Sequence, residues 1–443
     1  MSTHAIVIGA SMAGLMAAKV LAGPFDRVTV IERDLLPAGP VLRKGAPQAA
    51  HAHTLLIRGK QILEGLFPGL TADLLEHGAV ESDSAAQILW HQQGVFKGRS
   101  RSGLITTTMT RALLEWQVRA HLLQDPKVTL LDGHRVTGLI ATDDRSRVTG
   151  IQLEPVDRSA PMQRLNADLV VDAGGRGTRA PQWLAELGYP RVPVTEIKTD
   201  IAYSSRHFIY HGPAPDWNIC LLVQQAPGPR AGVLFRIEGD RWLLTMQTML
   251  GDEPPTDEAG FMAFARSLPA PQIAQWLAQA EPVSEIVAHR TPSNLRRHYE
   301  QMARFPDGLV ILGDASTSFN PRYGQGMTTA ALGVEALSAR LQTDDHRMPG
   351  FSGRYQAALA KAIALPWQAS TGEDLAFPKV EGRRTPAVKV MNWYMRRLIR
   401  LTAVDHEALV SFLRVVHLLA PAGELFKPRL VWKVLTMRDS VES

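Results

Sequence analysis

The sequence predicts an α/β protein: a Rossmann-like, three-layer dinucleotide-binding lobe, a mainly-β domain inserted into it, and a C-terminal helical region. Three observations carry this. Near the N-terminus the apolar run Ala5-Ile6-Val7-Ile8 leads into Gly9-Ala10-Ser11-Met12-Ala13-Gly14, a helical stretch, and then Val28-Thr29-Val30-Ile31-Glu32. Two further buried-strand runs open into glycine-rich turns, at 167–180 and 308–326. Between them, residues 191–286 alternate apolar and polar side chains broken by Pro-Gly turns, the pattern of half-buried strands.

The N-terminal block reads as strand, turn, helix, strand and acid. Gly9 lets the chain turn sharply out of the strand, and Gly14 lets the helix pack closely on the sheet, so that a pyrophosphate can rest on the helix N-terminus. Glu32, ending the second strand, is placed to accept hydrogen bonds from ribose hydroxyls. Ser11 stands where the usual fingerprint has its middle glycine.

Bulk properties narrow the classes. At 443 residues the chain exceeds what one core usually supports, so more than one lobe is expected. A net charge of +5 suits an anionic cofactor, while the absence of a basic run or nucleic-acid motif argues against a nucleic-acid partner. The single cysteine, Cys220, excludes an internal disulfide framework and fits a cytoplasmic location. His51-Ala52-His53 lacks a third ligand nearby, so no metal site is assigned. Met1-Ser2-Thr3-His4 lacks the basic start of a secretory signal, and no apolar run reaches the roughly 18 residues of a transmembrane segment.

Along the chain, 54–75 reads as helical and 87–107 as strand-like, followed by a helix with Thr110 as its N-cap. Arg111 falls in that helix's first turn, where a cation gains nothing from the helix dipole and needs another partner, such as a phosphate. Residues 128–153 suggest a strand and a hairpin inserted into the lobe. Gly175-x-Gly177-x-x-Ala180 would pass as a second fingerprint. No acid-tipped strand follows it, so it reads better as a loop lying against the first cofactor. Strands follow at 201–209, 219–223, 232–237 and 242–249, with a helix at 258–268. Further on, Gly313-Asp314 puts a carboxylate at a strand end, and Gly324 and Gly326 free the backbone to approach a flat ring. Residues 350–443 are mostly helical; their basic residues beside Trp393, Tyr394, Leu398 and Ile399 make either a packing face or a seat on a membrane surface. The expected division gives 1–80, 105–190 and 287–349 to the nucleotide lobe, 81–104 and 191–286 to the substrate domain, and 350–443 to the helical region.

The order and spacing of the three glycine signatures resemble those of the para-hydroxybenzoate hydroxylase-like, class A, FAD-dependent monooxygenases, over about residues 1 to 345. The stretch Ala38-Gly39-Pro40 through Leu42-Arg43-Lys44-Gly45, Pro47-Gln48 and His51-Ala52-His53, with Asp172-Ala173-Gly174-Gly175-Arg176-Gly177, looks closest to the flavin epoxidases of polyether biosynthesis, those of the lasalocid and monensin pathways. The resemblance implies that Gly9, Ser11, Gly14 and Glu32 hold the ADP half of FAD, with Met12, Ala13 and Arg33 beside them. It implies that Arg43 and Arg111 reach the ribityl or phosphate portion and that Val136 meets adenine. Asp314 would bind the ribityl chain, and Pro321, Gly324, Gly326 and Met327 would line the isoalloxazine. Two positions depart from the family: Gly174 replaces the aspartate of its Asp-Gly motif, and Ser316 replaces its usual histidine.

The activity so implied is an FAD-dependent monooxygenase of secondary metabolism. NAD(P)H is a transient co-substrate, and a C4a-hydroperoxyflavin epoxidises or hydroxylates a lipophilic, electron-rich small molecule with O2. The flavin carries that chemistry, so no catalytic side chain is assigned. The rivals are a flavin-dependent alkene reductase of the geranylgeranyl reductase type and a non-catalytic flavin-binding protein. A halogenase is disfavoured because the Trp-x-Trp-x-Ile-Pro segment is absent. The substrate pocket is expected to be apolar, with Phe208, Leu222, Phe235 and Met246 as candidates, alternate positions facing away.

Overall fold

Alternation along the first strand sets up the layers. In the computed structural model, which describes residues 2–382 and 384–437, strand His4–Ile8 turns Ala5 and Val7 to one side and Ile6 to the other. It is central in a five-stranded parallel sheet, ordered Leu309–Ile311, Leu169–Asp172, His4–Ile8, Arg27–Ile31, Val128–Leu131. On the Ala5 side pack helices Met12–Leu21, Arg111–Leu122 and Gly326–Thr343, whose Leu15, Leu114 and Val334 share one core with Val7 and Val30. On the Ile6 side, Val148, Ile151 and Leu153 of an antiparallel meander, His134–Ala141, Val148–Pro155 and Gln163–Asn166, close a second core. Helices, parallel sheet and meander are the three expected layers. A parallel sheet covered on both faces explains why its strands read as unbroken apolar runs.

The second sheet runs Thr317–Ser318, Val287–Arg297, Val194–Tyr210, Arg241–Thr248, Ala231–Ile237, Ile219–Leu222, Ile88–Gln92, Val95–Phe96, with Ala280–Pro282 also paired to Val194–Tyr210. One face is buried under helices Glu258–Arg266 and Gln272–Leu277, through Leu234, Leu244, Phe261 and Trp276. Its other face is open toward the parallel sheet. Strand Val287–Arg297 lies beyond the expected boundary at 286 and extends this sheet. Its Pro292 lies opposite the register shift between Lys198 and Ile201, where a missing amide costs no ladder bond.

The C-terminal region splits in two. Helix Phe351–Ala362 joins the first core through Phe351, Tyr355 and Leu359. Helices Pro386–Leu401, His406–Val416 and Pro428–Thr436 form their own core from Leu398, Phe412 and Val434, and pack on Trp90 and Leu104. The basic stripe beside Tyr394 and Leu398 is thus, on its buried side, a packing face. Among the described residues, no helix is long and apolar enough to cross a membrane.

Candidate functional site

The C-terminal ends of the parallel strands face the open side of the large sheet across a cavity of about 1370 Å³. Three turns converge there: Gly9 to Ala13 after the first strand, Ala173 to Thr178 after Leu169–Asp172, and Asp314 after Leu309–Ile311. Every residue predicted from sequence to bind the cofactor lines this cavity except Gly14. That glycine acts from behind: a Cβ on it would lie 1.8 Å from the Gly9 carbonyl oxygen, so its hydrogen lets helix and turn close up. Gly9 itself has φ of 98°, and a Cβ there would meet the Ala173 carbonyl at 2.7 Å. Two of the three turns are therefore in backbone contact, which only glycine permits.

No side chain caps helix Met12–Leu21, and its first residues, Met12 and Ala13, open onto the cavity. An uncapped helix N-terminus presents unpaired amides and a positive dipole end to an anion. Beside it lies a buried charge network. Glu115 accepts from Arg43 Nε at 2.9 Å through one oxygen, and from Ser11 Oγ and Arg111 Nη2, both at 2.9 Å, through the other. Arg43 also reaches Asp34 at 2.8 Å and Glu32 at 3.4 Å. Burial pushes the Glu115 carboxyl up, but Arg111 and Arg43 outweigh it and hold it below its ordinary value. Arg111 Nε is buried and has no hydrogen-bond partner among the described residues. Glu32 accepts from the Ala10 amide at 2.9 Å, which fixes its carboxylate at the end of the second strand.

Asp314 is exposed on the cavity wall, with protein packed around its backbone turn. Burial raises its carboxyl pKa, and Arg111, Arg176 and Arg297 oppose that rise. Arg297, not singled out by sequence, ties the loops together by donating to the Ala315 carbonyl at 3.0 Å and the Arg176 carbonyl at 2.8 Å. Arg176 in turn donates to Ser293.

The open sheet face supplies Tyr203, Leu221, Val233, Phe235, Thr245 and Gln247 to the cavity. Of the four pocket candidates only Phe235 is among them. Phe208, Leu222 and Met246 point to the opposite face, under the two helices, because successive residues of a strand alternate sides. His51 and His53 also line the cavity. His51 Nδ1 is 2.7 Å from Ser205 Oγ, which is 2.6 Å from Thr245 Oγ1. Burial lowers the His51 pKa to about 3, so it is neutral at pH 7.

This is the fold of FAD-dependent monooxygenases and halogenases. The chain superposes on a flavoprotein/dehydrogenase from Cytophaga hutchinsonii with TM-score 0.67 at 14% identity, covering 98% of this chain and 97% of that one. It superposes on the flavin-dependent brominase Bmp2 with TM-score 0.65 at 14% identity, covering 98% of each. PqsL of Pseudomonas aeruginosa, described as a probable FAD-dependent monooxygenase, gives 0.55 at 16% identity over 92% of this chain and 98% of PqsL. The chain belongs to the family of Protein Rv3254 of Mycobacterium tuberculosis (strain ATCC 25618 / H37Rv), with which it is 34% identical over 389 residues, 84% of this chain and 80% of that protein. No family model matches the chain.

Proposed function

We propose that the chain is an FAD-dependent monooxygenase that uses NAD(P)H and O2 to epoxidise or hydroxylate a lipophilic, electron-rich small molecule. The observation that carries this is the convergence of three strand-end turns on one cavity, with an uncapped helix N-terminus at one end and an open, largely apolar sheet face across from it. The residues fit FAD. The amides of Met12 and Ala13 and the unpaired Nε of Arg111 suit a pyrophosphate. Glu32 suits a ribose, Asp314 a ribityl hydroxyl, and Pro321, Gly324, Gly326 and Met327 a flat ring. When bound, FAD supplies reduction by NAD(P)H and activation of O2. The chain's own part is to hold the substrate against the ring and keep water out. Leu221, Val233 and Phe235 serve that purpose, and we assign residues 191–286 with 81–104 to covering the substrate. The likeness to PqsL and Bmp2 supports the class, and the resemblance of the 38–53 and 172–177 stretches to the polyether flavin epoxidases supports epoxidation or hydroxylation of a lipophilic molecule.

The test is a screen of polyketides, terpenoids and phenols for stimulated NAD(P)H oxidation, with mass spectrometry of products in air and under argon. A product heavier by one oxygen atom, formed only in air, is the expected result. Turnover that continues under argon would make the protein an alkene reductase, and flavin binding without stimulated oxidation would make it non-catalytic.

A further inference from the structure

Past the Gly324 loop, one part of the cavity wall holds polar atoms that the protein leaves unused. The Arg322 side chain is 5% exposed, yet its Nε and Nη1 have no hydrogen-bond partner among the described residues. Gln224 is 2% exposed, and both its amide nitrogen and its amide oxygen are unpartnered. Both residues line the cavity, and they are linked, since Arg322 Nη2 lies 3.4 Å from the Gln224 carbonyl oxygen. Buried polar groups without partners are costly to keep, and the unpaired donors here, Arg322 Nε and Gln224 Nε2, are explained by a ligand that brings an acceptor oxygen to them.

The surroundings say what kind of ligand. Arg322 is held flat, with its guanidinium 5.1 Å from the ring centroids of both Tyr323 and Phe377. Its charge is already balanced by two ion pairs, Nη2 with Glu373 at 3.4 Å and Nη1 with Asp374 at 3.8 Å, so that Nε is the donor left with neither bond nor ion pair among the described residues. Asp374 is fully buried and kept in place by Asn294, Asn320 and the Tyr323 hydroxyl. A free anion would meet both carboxylates, whereas a neutral acceptor oxygen meets only the unused N–H groups. The cavity wall also carries the apolar Leu221 and Val223, and Trp90, whose Nε1 is another buried donor without a partner among the described residues.

Resting on the monooxygenase reading, we propose that Arg322 and Gln224 anchor the carbonyl oxygen of an uncharged, otherwise apolar substrate, and so select ketones, enones, quinones or esters over hydrocarbons of the same shape.

Equilibrium dialysis of the purified protein against 2-acetylnaphthalene and 2-isopropenylnaphthalene, which differ by C=O against C=CH2, tests this without using flavin as the readout. The ketone is expected to bind about tenfold more tightly, the scale of one hydrogen bond to a charged donor. Gln224→Leu, which removes no existing side-chain bond and should fold, is expected to cut that preference severalfold, and Arg322→Met to abolish it. Both should leave the affinity for the alkene within about twofold. Circular dichroism of Arg322→Met guards against misfolding. Equal binding of the two probes, no binding of the ketone, a preference undiminished by Gln224→Leu, or tighter binding of 2-naphthoate than of the ketone overturns the proposal. Failure of the monooxygenase reading shows separately, as protein that retains no FAD or turns over no substrate, whatever the dialysis gives.

Discussion

Glu115 holds together the end of the cavity beside helix Met12–Leu21, because its two oxygens serve Arg43, Arg111 and Ser11 at once. Replacing it by Ala leaves two guanidiniums, each under 10% exposed, with an acid missing from between them. The expected loss is about 3 kcal/mol, the lower end for breaking a buried pair, since water from the cavity can reach both cations. Urea denaturation of the flavin-free protein measures it, and an unchanged midpoint would mean the network is ornamental. Asp314→Ala acts on the cofactor instead. Without the acceptor for a ribityl hydroxyl, FAD should bind about tenfold more weakly and be lost on gel filtration. Stoichiometric flavin retained by the variant would show that the Gly313-Asp314 loop had been misassigned. Asp314 and Glu32 could be read from sequence because each ends an apolar strand beside a glycine turn or a fingerprint. Glu115 could not. It lies four residues after Arg111 on an ordinary amphipathic helix, while its other partners, Ser11 and Arg43, are 104 and 72 residues away. Such a contact exists only once the chain has folded.

At the scale of elements, strand existence was legible and strand facing was not. Period-2 alternation located the strands, now Ile219–Leu222, Ala231–Ile237 and Arg241–Thr248, but both faces are apolar, one to pack helices and one to line the cavity, so parity alone could not choose between them. Val287–Arg297 escaped notice because Pro292 interrupts it and its outer half is exposed. The junction between the large sheet and the C-terminal helices was equally hidden, and it contains Lys97. This lysine is 5% exposed, with Nζ 4.8 Å from the Trp90 centroid, 4.0 Å from that of Phe412, and 3.4 Å from Thr402 Oγ1. Burial lowers its pKa from 10.5 to about 7, with Glu373 opposing. Between those values the unfolded chain binds a proton that the folded protein does not. Stability from this residue is therefore complete above 10.5 and is lost as pH falls toward 7, by up to about 1.4 kcal/mol per pH unit. Lys97→Met keeps the stem against both rings without the titration. The stability of the native protein relative to Lys97→Met should rise steadily from pH 7 to pH 10 in urea titrations. Parallel pH profiles for the two proteins would show that the ammonium is solvated.

The whole molecule decides how the NAD(P)H of the proposed reaction would be handled. A resident NAD(P) domain needs a second strand–turn–helix–strand unit ending in an acid, and the only sequence that begins like one is at 175–180. There the helix Ala180–Glu186 is short, and the next strand, Val194–Tyr210, leaves for the other sheet. The loop itself is occupied: Asp172 accepts from the Gly174 amide at 2.8 Å and from the Thr178 hydroxyl, and Arg176 is spent on Ser293. Under the proposed reaction, one cavity would then admit cofactor, substrate and nicotinamide in turn. NAD(P)H is accordingly expected to bind weakly and leave after hydride transfer, with the substrate or a displacement of the flavin ordering the steps, because one ring face cannot host nicotinamide and substrate together. Stopped-flow reduction by NADPH, with and without a substrate identified in the oxidation screen, should show faster reduction when substrate is present. Equilibrium dialysis should find no stoichiometric NADP+ at micromolar concentration. Tight NADP+ binding that is lost on substituting residues of the 175–180 loop would instead make that loop a second nucleotide site and the lobe a two-nucleotide machine.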